Sequence, residues 1–224
     1  MFQKYSAAVA AALLALAGGA QAQVAVTADL GSTGAGVHLV VPMESTLNGR
    51  FGVNGFKHDF SKTSGGVDYD IKGSLRTVDV LFDWYLAGAG SFHLTGGLVY
   101  NGNKFDARAN PSGLGKFTLN GHTYTAADVG ILSGRVSYRR AAPYLGIGWG
   151  NALDASRRLN FNADLGAFYQ GHPTVQLASI GCVTSNDVCG AIVKDVAAER
   201  LQLSNDLDKL KFYPVLRASV SYRF

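Results

Sequence analysis

The chain has 224 residues, with 20 Lys and Arg against 16 Asp and Glu, 28 Gly, 12 Phe, 10 Tyr and only 2 Cys. Apolar residues make up 47%, yet after residue 23 they never form the uninterrupted run of ~20 that a membrane helix needs. A formal charge of +4 without a basic tract excludes nucleic acid as the evident partner.

The first stretch, Met1 to Ala22, carries Lys4, an apolar core from Ala7 to Ala17 and a small-x-small ending, Ala20-Gln21-Ala22. This is the pattern of a secretory signal peptide removed after Ala22, leaving residues 23–224 as one exported domain with 19 basic and 16 acidic residues.

From Val24 to Val41 the chain alternates like a strand, but the apolar phase shifts by one residue across Gly31 to Gly34. That shift means a tight turn between two strands or a bulge within one. Leu47 to Phe60 follows the short MEST link, with Arg50 and Asn54 opposite Phe51 and Val53. After SKTSGG, Val67 to Leu86 alternates at length, with Asp79, Asp83 and Tyr85 opposite Val78, Val80, Phe82 and Trp84. Phe92 to Asn101 forms the next segment. An irregular region from Asn103 to Val129 contains FTLNGHTY, in which Asn120-Gly121 predicts a hairpin turn.

Gly134 to Trp149 is strand-like with a phase break at Ala141 to Pro143, which a bulge would explain. Leu159 to Tyr169 alternates against Asn160, Asn162, Asp164 and Gln170. The final segment, Lys209 to Phe224, sets Leu210, Phe212, Leu216, Val220, Tyr222 and Phe224 on one face and Lys211, Arg217 and Arg223 on the other. Between these two, Ala191 to Leu207 abandons period two. Ile192, Val196, Leu203 and Leu207 make a helical stripe, with Lys194, Asp195, Glu199 and Asp206 expected in solvent.

Such strands could line a soluble sandwich or face lipid. The links decide between them. MEST, AGAGS and NALDASRR are short, whereas 103–129 and 178–208 are long, although SKTSGG breaks the trend. Outer-membrane barrels have short periplasmic turns and long external loops. With the short links periplasmic, Trp84, Phe92, Trp149, Phe161 and Phe224 all lie at one level on the apolar face, as an aromatic girdle. The predicted fold is therefore an all-β, transmembrane, antiparallel up-and-down barrel with long extracellular loops and one loop helix. Eight strands are expected, or ten if the FTLNGHTY hairpin extends the wall.

APYLGIGWG (Ala142 to Gly150), DLGAFYQGHPTV (Asp164 to Val175), the TLNGHTY hairpin and the terminal FYPVLRASVSYRF together resemble small outer-membrane barrels of the CarO-like porin family. The resemblance implies an eight-stranded barrel and passage of small solutes such as basic amino acids. The terminal alternation with Tyr222 and Phe224 also resembles the signal read by the barrel-assembly machinery.

The inward phase supplies Arg50, Asp79, Asp83, Arg135, Arg139, Asp164, Lys211, Arg217 and Arg223 as lumen-lining candidates. In so narrow a barrel they either pair into a network that closes the lumen or line a selective path. Cys182 and Cys189, close together in an exported chain, are expected to form a disulfide.

Catalysis finds little support. The His93 and Thr95 side chains point to the lumen, His58 and Ser61 fall on opposite faces, and His172 has no evident Ser or Asp partner. No metal-ligand spacing or cofactor motif occurs. The sequence thus reads as a bacterial outer-membrane, porin-like, non-enzymatic barrel. Its expected partners are outer-membrane lipid, the assembly machinery and small polar solutes. A closed structural or surface-recognition barrel is the alternative, and a lipid-modifying enzyme a remoter one.

Overall fold

In the computed structural model, residues 23–64, 67–86, 90–111 and 115–224 are described; the expected leader, Met1 to Ala22, lies outside them. The tight turn at Ser32-Thr33 separates β1 (Ala25–Gly31) from β2 (Gly34–Glu44), and Gly34 has φ +102°, a backbone that favours glycine. The one-residue phase shift is therefore a turn and not a bulge. It provides the short first strand that an even-numbered barrel needs.

β1 pairs on one side with β2 and on the other with the last strand, β13 (Phe212–Arg223), with Val26 opposite Tyr222. The ring continues from β2 through β3 (Leu47–Ser64), β4 (Val67–Tyr85) and β5 (Phe92–Asn101). It passes to β10 (Ala141–Trp149) and β11 (Leu159–Tyr169) and closes on β13. All eight contacts are antiparallel. Closure removes every edge within the ring, so each backbone group at membrane depth has a partner.

The outer wall is apolar because the sequence alternates. Trp84, Trp149, Phe161 and Phe224 are all more than half exposed on it. Phe92 meets Trp149 edge to face at 5.2 Å, at the end that holds the short links. A soluble protein would bury this surface; a barrel turns it to lipid.

SKTSGG breaks the loop trend for a simple reason. Gly65 and Gly66 lie outside the described residues, but Ser64 pairs with Val67 on either side of them, and the flanking strands, of 18 and 19 residues, run past the membrane into the extracellular space. At ~3.3 Å per residue such strands reach about 60 Å. Upon the outer half of β4 grows a second sheet region: β6 (Lys104–Pro111), then β9 (Ile131–Ser137), then β12 (Thr174–Ile180).

Gly134 to Trp149 is therefore not one bulged strand. The phase break marks the point, between Ser137 and Ala141, where the chain leaves this upper sheet for the wall. The FTLNGHTY segment forms a separate hairpin, β7 (Lys116–Leu119) and β8 (His122–Thr125), with Asn120 and Gly121 both at positive φ. It does not join the wall, so the count is eight and not ten.

A short α1 (Ala126–Val129) and the long α2 (Asn186–Leu207) complete an extracellular cap. α2 begins five residues before the sequence periodicity indicates, because Ser185 caps its first turn by accepting from the Val188 amide. Ile192 and Val196 are buried with Ala109, Phe117, Leu119 and Val129 in a core that belongs to the cap alone. Cys182 and Cys189 are joined by a disulfide at the start of this helix.

One expectation is overturned here. Asp195 is not a solvent residue but is buried at the junction of α2 and the hairpin. Asn120 Nδ2 (3.1 Å), His122 Nδ1 (2.9 Å) and the Tyr124 hydroxyl (2.5 Å) all donate to its carboxylate. Helical periodicity marks a face; it cannot show that a neighbouring hairpin will bring three donors to it.

Candidate functional site in the barrel interior

The inward phases of the eight strands meet in two linked sets of charges. In the first, Arg50 of β3 forks onto Asp164 of β11, with Nη1 to Oδ2 at 2.9 Å and Nη2 to Oδ1 at 3.0 Å. The same Nη2 also donates to Asp83 of β4 at 3.0 Å. Thr95 donates its hydroxyl to Asp83 at 2.8 Å, and His93 Nε2 lies 3.5 Å from Asp164.

In the second set, Arg217 of β13 donates to Asp79 at 2.7 Å and lies 3.3 Å from Asp29. His38 stands between the two carboxylates, with Nδ1 2.7 Å from Asp29 and Nε2 3.0 Å from Asp79. Asn54 donates to Asp79 (2.8 Å) and to the Thr77 hydroxyl (3.0 Å). Two planar guanidiniums thus tie together carboxylates from β1, β4 and β11, a bidentate geometry suited to arginine.

Glycine makes room for these side chains. A Cβ on Gly52 would sit 2.3 Å from the His38 ring, and one on Gly148 would sit 2.2 Å from His93 Nε2. Small residues beneath large ones let an eight-stranded interior fill completely.

Beside these charges the interior is apolar: Leu81 stands between Asp79 and Asp83 on β4, and Val99 of β5 is opposite Asp79. Leu81, Val99, Ala142, Tyr144, Phe168 and Val215 form a buried cluster, and Tyr213 stacks on Phe168 at 4.8 Å. At the periplasmic end Ala152, from the link between β10 and β11, tucks against Ala25 and Val40. Beside it a cavity bounded by Arg50, Asp83, His93 and Ser219 measures about 10 Å³, room for about one water molecule.

Of the lumen candidates, Arg50, Asp79, Asp83, Asp164 and Arg217 come together in the two charge sets, each at most 5% exposed. Lys211 lies at the extracellular rim, 3.1 Å from Asp208, and Arg223 at the periplasmic rim donates to the Ala155 carbonyl at 2.9 Å. Arg135 and Arg139 are not on the inner wall. Arg135 belongs to β9 above the membrane, where it meets Asp106 at 2.5 Å, and Arg139 is exposed beyond that strand. Their alternation points inward only if residues 134–149 are one strand, and the chain instead passes from β9 to β10 between Ser137 and Ala141.

Asp29, His38 and His93 also belong to the network. Asp29 and His38 were legible as inward from alternation with Ala28 and Leu30, and with Val37 and Leu39. The apolar cluster had a signal too. Leu81, Val99, Phe168 and Val215 stand on the phase otherwise given to polar residues.

His172 does have an acidic partner, Asp208, contrary to expectation. Lys211 and His172 both hydrogen-bond Asp208, and they hold its carboxyl below the usual carboxylate range. Among the described residues, no histidine is hydrogen-bonded to a serine or threonine hydroxyl, and no three His, Cys, Asp or Glu side chains are grouped to hold a metal.

A closed eight-stranded ring with an apolar exterior, a charged interior and a folded cap defines an outer-membrane β-barrel. Comparison with solved structures agrees. The crystal structure of CarO2 from Acinetobacter baumannii matches with TM-score 0.60 and 24% identity, over 91% of this chain and 99% of that one. CarO from the same organism matches with TM-score 0.58 and 27% identity, over 90% and 98%. The chain is thus a CarO-like barrel of the bacterial outer membrane. No protein-family profile and no curated protein sequence matches it.

Proposed function

We propose that this protein is a closed outer-membrane barrel that acts through its extracellular cap, with the membrane-spanning part serving as a rigid, non-conducting stem. The filled interior carries this reading. An apolar cluster and the ion network lie side by side across the interior, Ala152 packs at the periplasmic end, and the cavity between Arg50, Asp83, His93 and Ala152 is about 10 Å³. The cap supports it as well, having a hydrophobic core, a disulfide and a helix of its own.

The reading is tested by swelling of proteoliposomes in iso-osmotic lysine, arginine and glucose. Rates equal to those of protein-free vesicles are expected for all three. Faster swelling in any one would overturn it.

A second reading, slow passage of small polar solutes, is favoured by one observation. The buried network holds Asp29, Asp79, Asp83 and Asp164 against Arg50 and Arg217, an excess of carboxylate that would prefer a cation such as a basic amino acid. Passage would need the Arg50 and Arg217 pairs to part. Swelling in lysine and arginine but not in glucose is the result that belongs to this reading. Insertion by the assembly machinery through the outward-facing Tyr222 and Phe224 is part of either.

A further inference from the structure

We propose that the outward face of β3, β4 and β6, just above the apolar wall, binds the phosphorylated headgroup of an outer-leaflet glycolipid, with an acyl chain in the groove beside it. This goes beyond both readings of the lumen and is independent of them.

Strand register sets the outward side chains in lateral rows, two residues or about 7 Å apart along the strand. The last apolar row is Val53, Val78 and Tyr100. The next holds Gly55 and Arg76, and the one above it Lys57, Ser74 and Lys104. Acidic side chains enter only in the third row, where Asp59, Lys72, Asp106 and Arg135 alternate in sign. The first two rows outside the hydrocarbon are therefore cationic without an acid among them.

Arg76, Lys57 and Lys104 are exposed, and among the described residues their side chains form no ion pair. The Arg76 backbone is fixed: its amide donates to Asn103 Oδ1 at 2.9 Å, and its carbonyl accepts from the Gly102 amide at 2.8 Å. At the comparable level on β11 and β13 the wall presents Tyr169 and Phe212, packed at 5.3 Å, so the cations are not a uniform rim.

Beside Arg76 lies a shallow, open groove of about 520 Å³ bordered by Ala35, Val37, Val53, Gly55 and Val78. The small side chains at 35 and 55 leave it open between the valines. An apolar groove edged by a guanidinium and two ammonium groups fits one occupant, an acyl chain joined to a phosphate. Arginine forks onto phosphate oxygens, and the lysines add point charges.

The experiment is native mass spectrometry of the folded, detergent-solubilised protein with bisphosphorylated lipid A, its dephosphorylated form, or inorganic phosphate. The wild type should retain one bisphosphorylated lipid and at least tenfold less of the dephosphorylated one. The triple variant Arg76→Gln, Lys57→Gln, Lys104→Gln should lose retention at least tenfold. Val53→Trp, which fills the groove, should weaken retention with all three cations in place. Lys194→Gln, on the exposed face of α2, should change nothing, and heat-shifted gel migration confirms that each variant is folded. Equal retention by the triple variant, or of the dephosphorylated lipid, would overturn the proposal. So would displacement of the lipid by an equimolar amount of inorganic phosphate, which would make the site one for free anions.

Discussion

Asp79 shows what a single residue contributes to this interior. One carboxylate oxygen accepts from His38, Asn54 and Arg217, side chains of β2, β3 and β13, while Asp79 itself stands on β4. Removing one partner of a buried ion pair typically costs about 3–5 kcal/mol, because the other charge is left buried. Asp79→Ala is therefore expected to lower the temperature at which the folded band converts to the unfolded band on gels, with Asp79→Asn in between. An unchanged transition would show that the network carries no stability. Gly148 makes a complementary case. A methyl group there would fall 2.2 Å from His93 Nε2 and 2.8 Å from Asp164. Gly148→Ala is expected to cost about 1–3 kcal/mol by the same assay. Such close approach explains much of the glycine content of this chain, yet the sequence alone could not tell which glycine lies under which ring.

Among the elements, the hairpin and α2 depend on one another through Asp195. Hydrogen bonds from the Tyr124 hydroxyl and then from Asn120 hold the Asp195 carboxyl below the usual carboxylate range. A depressed folded value means that the contribution to stability is complete above the ordinary pKa of ~3.9 and fades as pH falls through the lower folded value. Protection of the amides in residues 116–125, corrected for the intrinsic pH dependence of exchange, is thus expected to fall below about pH 4 while that of the wall holds, and Asp195→Asn should remove that step. Protection factors in the hairpin that stay constant from pH 6 to 3 would contradict the linkage. The disulfide acts on the same element. Closing so short a loop is worth about 2–3 kcal/mol in the chain-entropy account. The double variant Cys182→Ser, Cys189→Ser should accordingly become sensitive to protease around 180–190, with the barrel core resistant. The NG turn, the helix and the cysteine pair are all legible in the sequence, although of the stripe only Ile192 and Val196 are buried and Leu203 is exposed. The docking of hairpin on helix is not legible, since nothing local encodes that His122 and Asp195, 73 residues apart, will meet.

For the whole molecule, alternation and loop lengths were enough to read an outer-membrane barrel, because lipid outside and a polar interior impose period two on every spanning strand. The count of eight followed from Gly31 to Gly34 once the phase shift is a turn. The upper sheet is not legible in the sequence because its strands obey the same period as the wall; only pairing partners separate β9 from β10. The filling of the lumen also depends on more than pattern. It requires that Leu81, Val99, Phe168 and Val215, from four strands, pack into one cluster and that Arg50 and Arg217 find acids on other strands. The central claim is that this interior is closed, and single-channel recording of the purified protein in planar bilayers tests it most directly. The account predicts a current at baseline for the wild type, and stepwise conductance only when the plug is cut back, as in Leu81→Gly with Phe168→Gly. Stepwise conductance from the wild type itself would contradict it.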